Sequence, residues 1–313
     1  MRLPALLMLA VMAGCAGPAT GPLNGVLLVF DPSMDQAALD SILSELQVTV
    51  STVEDEDVFV FSSCPLDGFS GDLRERRTIL FAVSSPDDIP ADLTVSGGIW
   101  RGRDVWAEDQ DVFGIVIPGD FQALELSDLL EDAYDRHLTA WLYGSFVSTQ
   151  MSSPERVDSL SSLGFSLDIP KSYRLQTWEP DAGFVQYQRT ESEDCMLILS
   201  IRWIADARVL SAEESVIWRE AVARNAFYDA AADSVDRARI QAVPLNLRGM
   251  EGFRLLGMWR NAEHLNAGAF TSYILFAGST RFLLDMEVFH EHRGKEPYIR
   301  EGWIIMNTFA LGS

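Results

Sequence analysis

Two histidines, His290 and His292, stand at alternate positions just beyond an apolar run at 282–288. In a strand, residues two apart share a face, so both imidazoles would point the same way and could hold a metal with a nearby carboxylate. No third ligand is visible beside them, and such a pair more often just ends a half-buried strand; they stand as weak metal candidates. His137 lies beside the apolar stripe of a helix and reads as a packed residue, and His264 sits in a polar turn at 261–268. Two acidic runs, Glu54 to Asp57 and Glu108 to Asp111, offer oxygen ligands of the kind calcium takes. They lack the loop glycine and closing glutamate of an EF-hand, and solvated approaches to strands are the simpler reading. Nucleophile elbow, Ser-x-x-Lys, zincin and phosphate-loop patterns are all missing. The chain therefore reads as a non-enzyme with no cofactor.

One cysteine has a clearer chemistry. Arg2 is followed by an apolar run at 3–12 that is too short for a membrane span, which needs roughly 20 residues, but has the length of a secretory signal. It ends on Met12, Ala13, Gly14 and Cys15. Small residues before the cut fit a narrow peptidase pocket, and the thiol of Cys15 accepts diacylglycerol, so the stretch resembles a bacterial lipobox. Residues 1–14 are then a lipoprotein signal peptide. Residues 15–24, the lipidated cysteine and a Gly- and Pro-rich tether, would hold the first domain at most about 30 Å from the lipid. Several acyl chains anchor stably where one does not. In bacteria with an outer membrane, Ala16 after the lipidated cysteine resembles a signal for sorting to that membrane, and with no acidic run after the cysteine the periplasmic face is expected. The partners expected are the membrane, through Cys15, and an envelope protein.

Aromatic residues supply the remaining chemistry, that of contact. Trp100 and Trp106 bracket Arg101 and Arg103 in an amphipathic loop, and Trp259 and Phe270 flank another glycine-bearing turn. Exposed aromatic–arginine clusters are typical interface anchors, so these six residues form the expected interaction surface. Cys64 and Cys195 fall in different predicted domains without a Cys-x-x-Cys pair, which speaks against redox catalysis and leaves a disulfide between them open.

The elements that must position these residues follow from pattern. The chain has 313 residues, 48% apolar, enough for a sizeable core. Residues 15–150 carry 24 acidic against 6 basic side chains, and residues 151–313 carry 22 against 17. A field of that sign excludes nucleic acid as a partner, because a polyanion needs clustered cations. A serine-rich stretch at 148–162 is the linker between an N-terminal domain, 25–147, and a C-terminal domain, 163–313. The first has strands at 25–30, 58–61, 78–83 and 112–117, a helix opened by Ser33 and Gln36 as a capping box, and a long helix over 121–142. The second has strands at 165–169, 184–189, 197–203, 252–259, 270–276 and 282–288. Its helix at 211–228 is opened by the capping box Ser211 and Glu214, and a last helix begins near Pro297. The fold class is α+β, two α/β sandwiches, each a largely antiparallel sheet packed with helices. The two acidic runs also echo one another, as duplicated half-domains would and as chance in so acidic a chain equally would.

Trp106-Ala107-Glu108-Asp109-Gln110, Gly257-Met258-Trp259, Gly268-Ala269-Phe270 and Ser272-Tyr273 together resemble a family of bacterial lipoproteins, domain of unknown function 4837. The likeness spans most of the mature chain and implies a lipoprotein without assigning an activity. Gly164-Phe165-Ser166-Leu167-Asp168-Ile169-Pro170, opening a strand meander, resembles PsbP-like domains, which are mostly non-catalytic assembly or binding modules. The expectation is a membrane-anchored envelope lipoprotein that binds or assembles. A carrier of a small apolar ligand is the alternative, and a metal-assisted hydrolase with converging carboxylates a third reading.

Overall fold

Three runs with hardly a polar residue, Gly25–Phe30 (β1), Thr78–Val83 (β5) and Asp111–Val116 (β8), are strands buried along almost their whole length. They form the centre of the first of two compact units in the computed structural model. That unit comprises the residues up to Leu46 and Phe59–Ala133; the second comprises Gln47–Val58 and Tyr134 onward. The structure describes residues 17–117, 119, 122–145, 159–227, 232–263, 266–290 and 294–312. The signal segment, Cys15, His264, His292 and residues 148–158 of the expected linker lie outside the described residues.

Between β1 and β5 come β2 (Thr49–Ser51), β3 (Asp55–Asp57) and β4 (Val60–Pro65); before β8 come β6 (Thr94–Ser96) and β7 (Ile99–Arg103). The first unit's sheet runs β4-β1-β5-β8-β7-β6. Its class is as expected, but its pairing is not largely antiparallel. The four strands β4, β1, β5 and β8 are mutually parallel; β7 alone runs the other way, antiparallel to β8 on one side and to β6 on the other. Parallel neighbours need a crossover. Helix α1 (Gln36–Leu46) lies in the connection from β1 to β4, and short 3-10 turns lie in the one from β4 to β5. Continuous apolar runs are the mark of strands covered on both faces. On one face Leu27, Val29, Ile79 and Phe81 pack with Phe69, Ile89 and Leu93 from the turns. Arg101, on the opposite face, ion-pairs with Glu125 of α2 (Ala123–Thr139) at 2.6 Å.

Local chemistry shifts two expected boundaries. Helix α1 is capped by Asp35, whose Oδ1 accepts the Ala38 N–H at 2.7 Å, while the Ser33 N–H donates to Asp31; the Ser33–Gln36 box does not form. Residues 17–20, expected to be free tether, lie on the first unit. The Ala19 N–H donates to Glu108 O (2.8 Å), the Glu108 N–H to Gly17 O (3.0 Å) and the Thr20 N–H to Glu75 O (2.7 Å).

The second unit is built on a wholly antiparallel sheet. Its strands are β10 (Arg174–Glu179), β11 (Phe184–Ser192), β12 (Cys195–Ala205), β13 (Asp233–Val235), β14 (Gln241–Leu247), β15 (Met250–Asn261), β16 (Asn266–Ala277) and β17 (Thr280–His290). The order is β10-β11-β12-β17-β16-β15, with β13 and β14 both pairing with β15. A separate two-stranded ladder joins β9 (Phe165–Ser166) to β18 (Ala310–Leu311). The five long strands expected here are all present and longer than their apolar cores suggested. Helix α3 (Ala212–Ala226) begins at the expected Ser211–Glu214 box, with both reciprocal hydrogen bonds made. Helix α4 (Glu296–Met306) begins beside Pro297 as expected and ends at Met306, so Ala310 belongs to β18.

The glycine and aromatic signposts of the sequence find their reason across β15 and β16. Gly257 faces Phe270 and Gly268 faces Trp259 in the register. A Cβ on Gly268 would stand 2.6 Å from the Trp259 ring nitrogen, and one on Gly257 2.9 Å from the Phe270 ring. Each glycine makes room for the large ring opposite, a pairing that covers otherwise bare strand backbone.

Candidate functional site

Strand β17 alternates as a two-faced strand must. Leu284, Met286 and Val288 share one face with His290, whose ring meets Tyr298 of α4 edge-on, centroids 5.4 Å apart. Leu283, Asp285, Glu287 and Phe289 share the other, beneath α3. There Arg219 of α3 reaches down with Nε 2.8 Å and Nη2 3.0 Å from the two Asp285 oxygens, and Nη2 2.5 Å from Glu287. Ser272 of β16 donates to the same Asp285 at 2.5 Å. Asp285 and Glu287 are thus two converging carboxylates, the geometry a hydrolase reading would look for. Both are sealed, at 0% and 4% exposure, and both are engaged with one guanidinium that lies 3.8 Å from the centre of the Phe270 ring. Burial, with Asp285 alongside, pushes the Glu287 carboxyl up to about 7 against the pull of Arg219.

The opposite face repeats the device. Arg189 of β11 meets Glu301 of α4 at 2.7 Å, Tyr173 donates to Glu301 at 2.6 Å, and Arg300 meets Glu296 at 2.6 Å and Asp135 at 2.8 Å. Burial raises the Glu301 and Glu296 carboxyls. Arg219 with its two acids and the Arg189–Glu301 pair tie a helix to each face of the sheet, while Arg300 joins α4 to Asp135 of α2. A guanidinium held by fixed forked bonds to two acids serves orientation, as Arg does wherever planar recognition is needed.

One open feature remains on the α3 face. The sheet is roughly 29 Å wide from β10 to its far edge, whereas a single helix covers only about 10 Å. Helix α3 sits over the middle strands, and toward β10 the sheet face opens into a cleft of about 620 Å³. That volume lies in the range of small-molecule sites, about 300–1,000 Å³. Phe184 and Ile204 line it from the strands, Trp218, Val222 and Ala226 from the helix. Its polar side chains are Arg202, Glu179, Thr177 and Asn225, four of the eleven that line it. The back of the Trp218 ring is occupied by the Arg281 guanidinium, 4.3 Å from its centroid.

The residues singled out from sequence are placed differently. Phe270 is fully buried and Trp259 nearly so, in the apolar core beneath α3, so neither is a surface anchor. Trp106 packs against Phe69 (5.5 Å) and Phe81 (6.2 Å), and Trp100 lies against the same core. Arg101 is taken by Glu125, and Arg103 is the member of the group that stays exposed, 3.7 Å from Asp111. Amphipathic rings beside a core bury themselves first, and the loop's arginines then pair with the unit's many acids. His290 is buried, its Nδ1 3.4 Å from the Gly294 carbonyl. His137 is buried on α2. Among the described residues no group of three or more His, Cys, Asp or Glu is arranged to hold a metal ion.

The acidic runs part company. Glu56, on β3 of the second unit, accepts the backbone N–H groups of Lys295 (2.5 Å) and Glu296 (2.9 Å) and so caps α4, where a carboxylate is favoured. Asp111, by contrast, is buried at the start of β8 in the first unit. The echo between the runs therefore marks no duplicated half-domain. Cys64 and Cys195 are free thiols, and burial raises both, which makes them poor nucleophiles.

The cleft gave little sign of itself in the sequence. Its polar members are spread over β10, β12 and α3, and β10 was not anticipated as a strand, since all but Thr177 of its residues are exposed.

No family model matches the chain, and no curated protein does. Among solved structures, cyanobacterial PsbP (CyanoP) from Synechocystis sp. PCC 6803 overlaps 48% of this chain and 88% of its own, at 12% identity and a TM-score of 0.36. LpqN, involved in cell envelope biogenesis of Mycobacterium tuberculosis, overlaps 48% and 83%, at 12% identity and 0.30. A protein from Bacteroides thetaiotaomicron VPI-5482 overlaps 48% and 45%, at 9% identity and 0.28. The structural neighbours thus include a PsbP-like protein and LpqN. Among the described residues no helix is long and apolar enough to cross a membrane.

Proposed function

We propose that the chain is a lipid-anchored, non-catalytic binding module of the cell envelope, and that its ligand is a small molecule taken in the cleft between α3 and strands β10–β12. The observation that carries this reading is the contrast within the second unit. Its clustered ionisable side chains are spent on one another in buried ion pairs that hold the helices in place, while the open cleft pairs an apolar floor with a handful of polar side chains, the composition of a binding site. A general acid or base must reach its substrate, and Asp285 and Glu287 line no part of the cleft.

The anchor rests on the lipobox at Cys15. Because Gly17 is already bonded to Glu108, only Ala16 separates a lipidated Cys15 from the folded unit. The first unit would then ride within about 7 Å of the lipid surface, much closer than a free tether would hold it. Cys15→Ala is expected to move the protein from the membrane fraction to the soluble fraction, because acylation supplies the whole of the anchoring. Equal membrane recovery of both forms would contradict the anchor. In-cell crosslinking of the two forms tests the envelope role. Recovery of one protein partner with the lipidated form only would favour an assembly module, a second reading supported by Leu175 and Trp178 exposed on the edge strand β10.

A further inference from the structure

The cleft is polarised, and its polarity selects a ligand. Glu179, Phe184 and Arg202 stand in one row across the sheet, Glu179 opposite Phe184 and Phe184 opposite Arg202. Glu179 is on the edge strand and exposed to water, which solvates its charge. Arg202 lies further in, half-buried beside Phe184 and Ile204. One of its guanidinium nitrogens donates to the Ala182 carbonyl, and no carboxylate of the described residues stands within ion-pairing distance.

The fully buried cations of the same unit are placed differently. Acidic side chains number 46 against 24 lysines and arginines, and the buried arginines of the same unit, Arg189, Arg219, Arg281 and Arg300, each hold at least one carboxylate. A half-desolvated guanidinium with donors to spare gains most from an anionic acceptor, in the forked geometry that suits a carboxylate. The surfaces next to it are apolar: the Phe184 ring, Ile204, Val222 and the open face of Trp218. Three alanines, Ala182, Ala221 and Ala226, leave the space between them empty.

We infer that the cleft takes an amphipathic carboxylate, its head group on Arg202 and its apolar body between Phe184 and Trp218. This rests on the reading of the cleft as the binding site and adds the chemistry of the ligand. The net negative charge of the protein opposes an anion at long range, but that field is screened beyond about 8 Å at physiological salt, so contact with Arg202 decides.

The test is calorimetry on the full chain with decanoate, decanol and decylamine, all below micelle formation. Wild type is compared with Arg202→Gln, Arg202→Lys and Ala221→Trp. Decanoate is expected to bind tightest and to lose at least about tenfold in Arg202→Gln, the worth of one charge-assisted hydrogen bond. Arg202→Lys, which keeps the cation, should recover part of that loss and so exclude a mere folding defect. Preferential binding of decylamine or decanol, or decanoate binding unchanged in Arg202→Gln, overturns the head-group assignment and leaves the cleft standing. Binding of any probe that survives Ala221→Trp, or of none to wild type, overturns the cleft itself.

Discussion

Arg219→Met is expected to destabilise the second unit by about 3–5 kcal/mol, the largest effect of any single substitution considered. The substitution keeps much of the side chain's length and removes the charge. Asp285 and Glu287 would be left buried on adjacent sites of one strand face, with Ser272 as the remaining donor to Asp285. Two like charges in a water-free site repel strongly, and the core cannot solvate them. One or both would have to take up a proton or the helix would lift from the sheet. Urea unfolding followed by tryptophan fluorescence reads the effect, since six of the eight tryptophans belong to the second unit. A loss under about 1 kcal/mol would mean that the ion cluster contributes little and that apolar packing alone seats α3.

The second large effect is a dependence on pH that runs opposite to ordinary acid denaturation. Glu287 is held near 7 by burial, facing Arg219 from α3, Asp285 on its own strand and Asp233 from β13. Glu296 and Glu301 are raised for the same reason. A carboxyl raised on folding binds its proton more tightly in the native state than in the unfolded chain. Its contribution is complete below the unfolded value near 4.5 and is lost as pH rises through the folded value. Carboxyls lowered on folding act the other way, as Asp31 does, held at about 2 by hydroxyl and backbone donors from Ser84 and Ser33, and as Glu214 and Glu220 do. Their contribution is lost only below about 4.5, so between pH 5 and 8 the raised group decides. The melting temperature is expected to fall by roughly 5 °C from pH 5.5 to pH 8. In Glu287→Gln, which keeps an acceptor for Arg219 and removes the proton, that slope should flatten, with a gain at pH 8. A slope unchanged in Glu287→Gln would place the linkage in Glu296 and Glu301 instead.

How much of this was legible in the sequence depends on distance along the chain. The capping box at Ser211 and Glu214 is a local contract between four residues, and it stands as read. The long strands β11, β12, β15, β16 and β17 show in their apolar runs because each is buried on both faces. The parallel centre of the first unit was within reach, since continuous apolar runs at β1, β5 and β8 are what doubly covered strands look like. Pairing direction, however, is settled by crossovers and not by the runs themselves. That Gln47–Val58 belongs with the second unit has no local signature at all. Glu56 there caps a helix 239 residues further along. The buried ion clusters left one faint trace, Asp285 and Glu287 at alternate positions inside an otherwise apolar strand. A pair so placed demands a counter-charge from whatever covers that face, but nothing in the sequence says that the cover is Arg219. The aromatic loops misled because a tryptophan beside an arginine reads the same whether the ring faces water or core. The cleft depends on how far one helix extends across a sheet wider than itself, a property of the assembled fold.

The central claim is that the open cleft beneath α3 holds a small ligand. Its most direct test is to pass wild type and Ala221→Trp, immobilised side by side, through an extract of envelope small molecules and to identify by mass spectrometry what each retains. Retention by wild type of at least one amphipathic molecule that Ala221→Trp lets through is the result predicted. The same retained set for both, empty or not, would contradict it.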